Sequence, residues 1–99
     1  MTIRVQSIHF DADAKLLSFI RERVDKMITF YDQILGGEVF LKLEKSDDAK
    51  NKVVQIKLHM PGSDIVVSEQ CRTFEEATDL CMNSLSRKVK QHKEKVRGI

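Results

Sequence analysis

The sequence predicts an α+β fold with the element order β-α-β-β-β-α. Two long segments carry apolar residues at three- and four-residue spacing, as amphipathic helices do, and four shorter segments alternate apolar and polar residues, as strands with one buried face do. The expected architecture is a four-stranded, mostly antiparallel sheet whose first two strands are parallel and whose two helices cover one face, an α+β sandwich. A chain of 99 residues supports one core, so residues 1–99 are expected to form a single domain.

The first strand is predicted within residues 3–10, where a short alternation begins. Asp11 or Asp13 is then placed to cap a helix, because a carboxylate can accept hydrogen bonds from the free amides of the first turn. We predict this helix over residues 14–31. Its apolar residues share one face that must be buried: Leu16, Leu17, Ile20, Val24, Met27, Ile28 and Tyr31.

The second strand is predicted over residues 38–44, after Gly36-Gly37, which ends the helical segment. The alternation places three apolar residues on one side of this strand: Val39, Leu41 and Leu43. Residues 46–51 are polar and typical of a turn.

The third and fourth strands, residues 53–60 and 65–71, are expected to form a hairpin through a tight turn at residues 61–64. Thr73 and Glu76 have the spacing of a capping box, which predicts the start of a long second helix that runs close to the end of the chain. Its apolar stripe contains Phe74, Ala77, Cys81, Leu85, Val89 and Val96.

Positive charge is concentrated at the end of the second helix. Residues 87–97 contain six bases and one acid, Glu94, so this stretch carries +5 although the formal net charge of the chain is +2, and the remainder carries −3. Such polarity indicates a molecule whose C-terminal helix faces a polyanion. The alternative is a solvated helix end, because cations also favour helix C-termini.

Functional residues are predicted on both helices. On the first, Phe19, Arg23, Lys26 and Phe30 form a stripe beside the apolar face, in which the cations suit phosphate oxygens and an aromatic ring suits a sugar or an unpaired base. Alternatively, both phenylalanines belong to the edge of the core and the bases are merely solvated. On the second helix, one flank carries Lys88, His92 and Lys95, the opposite flank carries Lys90, Lys93 and Arg97, and Arg87 lies between them.

Catalytic, metal and membrane functions receive little support. The sequence contains no glycine-rich phosphate loop, no GxSxG motif and no histidine pair with metal-ligand spacing. Cys71 and Cys81 are interpreted as small buried hydrophobic residues, and a hydrolase that pairs one of them with a histidine is kept as a minor hypothesis. No apolar run approaches the roughly 20 residues of a membrane span, so we expect a cytosolic protein.

Several segments resemble the ribosome hibernation-promoting factors, also called ribosome-associated inhibitors. They are FIRERVDKMITFYDQI at 19–34, VFLKLEK at 39–45, HMPGSDIVVSE at 59–69, TFEEATD at 73–79 and LSRKVKQHKEKV at 85–96. The resemblance covers essentially the whole chain. It implies a fold similar to double-stranded RNA-binding domains. It also implies a binding site in the small-subunit channel where mRNA and the A- and P-site tRNAs bind.

The resemblance also implies a function and a set of contacts. Such a factor inhibits translation during stress or stationary phase, in the cytoplasm, without catalysis, cofactor or small-molecule substrate. The implied contacts to ribosomal RNA are Arg23 and Lys26 on the first helix and Arg87, His92, Lys93 and Lys95 on the second, to which the flank positions add Lys88 and Lys90.

Longer relatives carry a second domain that joins two ribosomes, so the chain is expected to be a short form. Its implied partners are small-subunit rRNA, ribosomal proteins and a separate ribosome-pairing factor. One alternative from another class stays open, namely a protein-interaction module whose basic helix docks an acidic protein partner.

Overall fold

The predicted element order is confirmed. The computed structural model describes residues 3–8, 10–31, 33–44 and 49–96, and of residues 92–96 it describes only the backbone. The elements are β1 (Ile3–Ser7), α1 (Ala14–Phe30), β2 (Gly36–Leu43), β3 (Lys52–Met60), β4 (Ser63–Cys71) and α2 (Phe74–Val96). Neither α1 nor α2, as far as the structure describes them, combines the length and the hydrophobicity that a membrane-spanning helix requires.

The four strands form one sheet in the order β1-β2-β3-β4. β1 pairs with β2 in parallel, and the other neighbouring strands pair antiparallel, as predicted. Val39, Ile56 and Val67 occupy one row across three strands, and all three are buried. This row lies on the face that both helices cover, because these residues share one apolar cluster with Ile20 of α1 and Leu85 of α2.

Helix α1 begins at a side-chain cap and ends where its apolar periodicity stops. The backbone amide of Leu16 donates to Asp13 Oδ1 at 2.7 Å, so Asp13 rather than Asp11 is the cap. Tyr31 closes the last turn through its amide, which donates to the carbonyl of Met27 at 3.1 Å. The predicted apolar face is buried at Ile20, Val24 and Met27, and partly buried elsewhere: Leu16, Leu17, Ile28 and Tyr31.

Gly36 and Gly37 differ from the prediction, because they begin β2 instead of ending the segment before it. A Cβ on Gly37 would lie 3.0 Å from both Leu58 Cδ2 and the carbonyl oxygen of Lys57, and 3.3 Å from Ile3 Cδ1. Gly37 therefore allows the neighbouring strands to approach closely. From composition alone, a glycine with this role cannot be distinguished from a glycine in a turn.

Strand β4 is an edge of the sheet. The carbonyl of His59 accepts from the amide of Leu35 at 2.7 Å, so the backbone groups of His59 point away from β4. Groups two residues apart in a strand point the same way, so those of Lys57 also point away from β4. In an antiparallel pair, the residue opposite Lys57, Val66, then points its own backbone groups outward from the sheet.

Helix α2 begins where predicted, since Thr73 Oγ1 accepts from the amide of Glu76 at 3.1 Å. Its apolar stripe is buried as expected at Phe74, Ala77, Cys81, Leu85 and Val89, whereas the side chain of Val96 lies outside the described residues. Thr78 is also fully buried and satisfies its hydroxyl by donating to the carbonyl of Phe74 at 2.7 Å.

Candidate nucleic-acid interface

The two helices pack side by side on the sheet and contact each other, so their outward surfaces form one continuous face, which we call the helical face. Its exposed bases include Arg23, Lys26, Arg87 and Lys90. Because exposed cations on neighbouring helices can reach phosphates of two RNA strands, this face is the candidate binding surface.

Arg23 is held by two interactions. Its Nη1 lies 3.3 Å from Asp79 Oδ1 on α2, and its guanidinium carbon lies 5.1 Å from the centroid of the Phe19 ring. Both charged side chains remain about half exposed, at 47% and 50%, so solvent screens the pair and its contribution to stability is small. The consequence is mainly positional, since the guanidinium is fixed in the seam between the helices.

Lys26 also lies in this seam but forms no ion pair with any residue that the structure describes. It borders a cavity of about 300 Å³ between the helices. From α1 and its C-cap the cavity is lined by Arg23, Lys26, Met27, Phe30 and Tyr31. From α2 it is lined by Met82 and Ser86. We call this cavity the seam cavity.

The two phenylalanines of the predicted stripe have different environments. Phe19 packs partly buried against the core, in agreement with the interpretation of a core-edge residue. For Phe30 that interpretation is wrong, because its side chain is 85% exposed. The α1 helix ends at Phe30, so no further turn covers the ring, and the periodic pattern alone does not contain this information.

Of the α2 bases assigned to opposite flanks, the structure describes the side chains of Lys88 and Lys90 alone, and these two lie on different flanks. Lys90 follows Ser86 by four residues, and so continues the flank that faces α1. Lys88 lies on the other flank, where its Nζ donates to the carbonyl of Val66 at 3.2 Å. It therefore covers an outward backbone group of the edge strand β4. The side chains of His92, Lys93 and Lys95 lie outside the described residues.

Three residues near the predicted bases were missed by sequence reasoning: Asp79, Met82 and Ser86. They follow one another on α2 at spacings of three and four, which defines a second stripe beside the buried one. Their helical spacing was the available signal for a second stripe. Because the stripe combines an acid, a thioether and a hydroxyl, it shows no hydrophobic pattern that would mark it as a contact surface.

The cysteines do not form a nucleophilic site with the one histidine whose side chain the structure describes. Cys71 and Cys81 are both buried, and Cys81 Sγ donates to the carbonyl of Val54 at 3.4 Å. Burial raises the pKa of the Cys81 thiol to about 12, and burial followed by the neighbouring Glu76 and Glu69 raises the pKa of Cys71. His59 lies instead on the uncovered face of the sheet, where its Nδ1 is 3.2 Å from Asp64 Oδ1.

A metal centre has no support among the residues that the structure describes, where no group of three His, Cys, Asp or Glu side chains is suited to a metal ion. The uncovered sheet face carries some of its charge as local pairs, such as Lys57 Nζ with Asp64 Oδ2 at 3.6 Å.

Curated relatives match nearly the whole chain. Proteins named ribosome hibernation promoting factor from Pseudomonas putida and Azotobacter vinelandii are 24% and 25% identical to it, over 100% and 96% of the chain and 93% and 85% of their own lengths. A protein of the same name from Klebsiella oxytoca is 23% identical over 98% of both chains.

Two solved structures share the fold. A ribosomal subunit interface protein from Coxiella burnetii superposes with a TM-score of 0.83 at 19% identity, over 95% of this chain and 99% of that one. The N-terminal domain of Protein Y from Thermus thermophilus superposes with a TM-score of 0.77 at 19% identity, over 93% and 99%.

A family model confirms the resemblance noted in the sequence. The model described as sigma 54 modulation protein / S30EA ribosomal protein matches residues 3–97, which include every strand and both helices. The chain therefore belongs to the sigma 54 modulation protein / S30EA ribosomal protein family.

Proposed function

We propose that the chain is a ribosome hibernation factor, which binds the small ribosomal subunit in the mRNA and tRNA channel near the A and P sites. There it inhibits translation during stress or stationary phase, in the cytoplasm and without catalysis. The observation that carries this proposal is the helical face, on which exposed bases from two packed helices point outward. The names of the curated relatives support the ribosome as the partner.

The proposed RNA contacts combine described and undescribed side chains. Arg23, Lys26, Arg87 and Lys90 are exposed on the helical face, and Lys88 contributes from the β4 flank. His92, Lys93 and Lys95 are proposed from the sequence, since their side chains lie outside the described residues. Each base that neutralises a phosphate releases condensed counterions, so binding should weaken steeply as salt rises.

The inhibition follows from occupancy alone. A domain seated in the channel excludes mRNA and tRNA sterically, so it needs neither a reacting group nor a cofactor. The described helical face is richer in phosphate-binding cations than in amide side chains that read base edges. Recognition should therefore depend on the shape of folded rRNA more than on its sequence.

The test is sedimentation of purified small subunits with the chain across a salt series. We expect cosedimentation at low salt that Lys93→Glu/Lys95→Glu abolishes. The matched control is Arg4→Glu/Lys42→Glu, which changes the net charge equally on the uncovered sheet face and should leave binding nearly intact. Unchanged binding by the Lys93→Glu/Lys95→Glu variant would contradict the basic helix as the contact surface.

A companion assay separates this function from the protein-interaction alternative. Addition of the chain to a reconstituted translation reaction should reduce synthesis, and an excess of mRNA and tRNA should relieve the reduction. Capture of an acidic protein that survives nuclease treatment and contains no ribosomal proteins would favour the alternative.

A further inference from the structure

The seam cavity contains chemistry that phosphate binding does not require. Its floor includes Met27, which is 8% exposed, and its wall includes the Phe30 ring, which is 85% exposed at the end of α1. An aromatic ring left in water beside two cations has an unused stacking surface. The cavity of about 300 Å³ is at the lower end of the range for small-ligand sites, roughly 300 to 1,000 Å³.

We propose that the seam cavity binds one unstacked base of single-stranded RNA, with Phe30 as the stacking platform and Lys26 as the contact to an adjoining phosphate. This proposal rests on the proposed function, which it extends from the phosphate framework to one nucleotide. RNA is recognised largely through unpaired bases that stack on aromatic side chains while cations follow the backbone.

The geometry of the two aromatic residues supports a free stacking face. The Phe30 and Tyr31 rings are 6.4 Å apart between centroids and inclined at 46°, so Tyr31 does not lie flat on Phe30. A planar base therefore meets an uncovered ring at one side of the cavity. The thioethers of Met27 and Met82 are flexible and polarisable, and so can adapt to a purine or a pyrimidine.

Charge favours RNA over a protein segment as the occupant. An apolar protein side chain inserted here would leave Lys26 without a negative partner, whereas a nucleotide supplies a base and a phosphate together. Lys90 continues the same flank one turn beyond Ser86, so the backbone of a bound strand would meet a further cation after leaving the cavity. Among the residues that the structure describes, the cavity is lined by no amide or carboxylate side chain that could match a base edge, so we expect little discrimination among bases beyond what Arg23, Tyr31 and Ser86 provide.

The direct test uses methyl NMR of the full chain labelled at methionine, titrated at low salt with a short unstructured uridine RNA and with the same backbone lacking its bases. The methyl signals of Met27 and Met82 should shift with the RNA and not with the abasic strand. Met60 is buried in β3, does not line the cavity and serves as the internal reference. Equal shifts with both strands, or no shift with the RNA, would overturn the proposal.

Variants of Phe30 supply the second test, and its high exposure means that they should leave folding intact. Phe30→Ala should weaken binding of the uridine RNA by about 5- to 150-fold, because loss of one base–aromatic stack has that effect. Phe30→Tyr should retain affinity and Phe30→Leu should not, whereas Leu35→Ala is a control at another exposed apolar residue. A Leu variant that binds as well as the wild-type chain would show that stacking is not used.

The salt dependence distinguishes this site from phosphate contacts. On small subunits, Phe30→Ala should lower affinity by the same factor at every salt concentration, whereas Lys26→Ala should also reduce the slope of log affinity against log salt by about 0.7 to 0.9. If the wild-type chain does not sediment with small subunits, the proposed function fails, but the NMR titration still tests whether the cavity binds a base. If it sediments normally but the methionine methyls do not respond to RNA, the cavity proposal alone fails.

Discussion

The guanidinium of Arg23 on α1 lies 3.3 Å from the carboxylate of Asp79 on α2, so an ion pair joins the two helices within the proposed RNA surface. The pair places Arg23 beside the seam cavity and over the Phe19 ring. It also neutralises part of the charge that would attract phosphate. Stability and RNA affinity should therefore respond in opposite directions when Asp79 loses its charge.

The first prediction concerns Asp79→Asn. Because the pair is half exposed, its loss should lower the free energy of unfolding by less than about 1 kcal/mol. Because Arg23 then has no acidic partner, the variant should bind small subunits more tightly than the wild-type chain at low salt, by a factor of up to about five. Glu38→Gln on the uncovered sheet face removes the same charge and is the control. Weaker binding by Asp79→Asn than by this control would contradict the role of Arg23.

A second prediction separates Lys88 from the other bases. Since its Nζ donates to the carbonyl of Val66, docking on phosphate would require this hydrogen bond to break. Lys88→Met should therefore reduce the salt slope of ribosome binding by less than Lys90→Met does, for which about 0.7 to 0.9 is expected. Lys88→Met also uncovers the Val66 carbonyl at the edge of β4. It should therefore increase self-association, measured by analytical ultracentrifugation. An equal loss of slope in both variants would show that Lys88 leaves the edge on binding.

The third prediction tests the close strand approach at Gly37. In Gly37→Ala the new Cβ meets backbone and side-chain atoms at 3.0 Å, and the Lys57 carbonyl cannot move without disturbing the β2–β3 pairing. The free energy of unfolding should fall by about 1–3 kcal/mol, measured by urea denaturation. Ser63→Ala, at an exposed strand position, should change it by less than about 0.5 kcal/mol. If both variants unfold alike, the approach is looser than the structure indicates.

The fourth prediction concerns Cys81 and alkaline pH. The folded chain holds the thiol proton more tightly than the unfolded chain, because burial raises the pKa from 9.0 to about 12. The associated stability is complete below pH 9 and is lost as the pH rises toward 12. In Cys81→Ala the free energy of unfolding should fall less steeply over this window. Curves that remain parallel for variant and wild-type chain would contradict the assignment.

The fold was predictable because its signals are local. The helical spacing through Ile20 and Val24, the alternation around Val39 and the caps at Asp13 and Thr73 each appear within a few residues of sequence. Each of these features agrees with the element that the structure contains, as expected of a sequence whose local preferences match its global fold.

The details of the candidate site depend on contacts between distant segments. Arg23 and Asp79 are 56 positions apart, and Lys88 meets a carbonyl 22 positions away, so neither pairing follows from local periodicity. The exposure of Phe30 depends on where α1 ends, and the strand position of Gly37 depends on Leu58 and Lys57. Sequence reasoning could therefore identify the basic helices but not the cavity between them.

The orientation of the bound chain is the central claim, and a cryo-electron microscopy structure of the chain on the small subunit tests it most directly. The proposal predicts density in the mRNA and tRNA channel with α1 and α2 against rRNA, and with Arg23, Lys26 and Lys90 near phosphates. Density elsewhere on the subunit, or with the uncovered sheet face against rRNA, would contradict it.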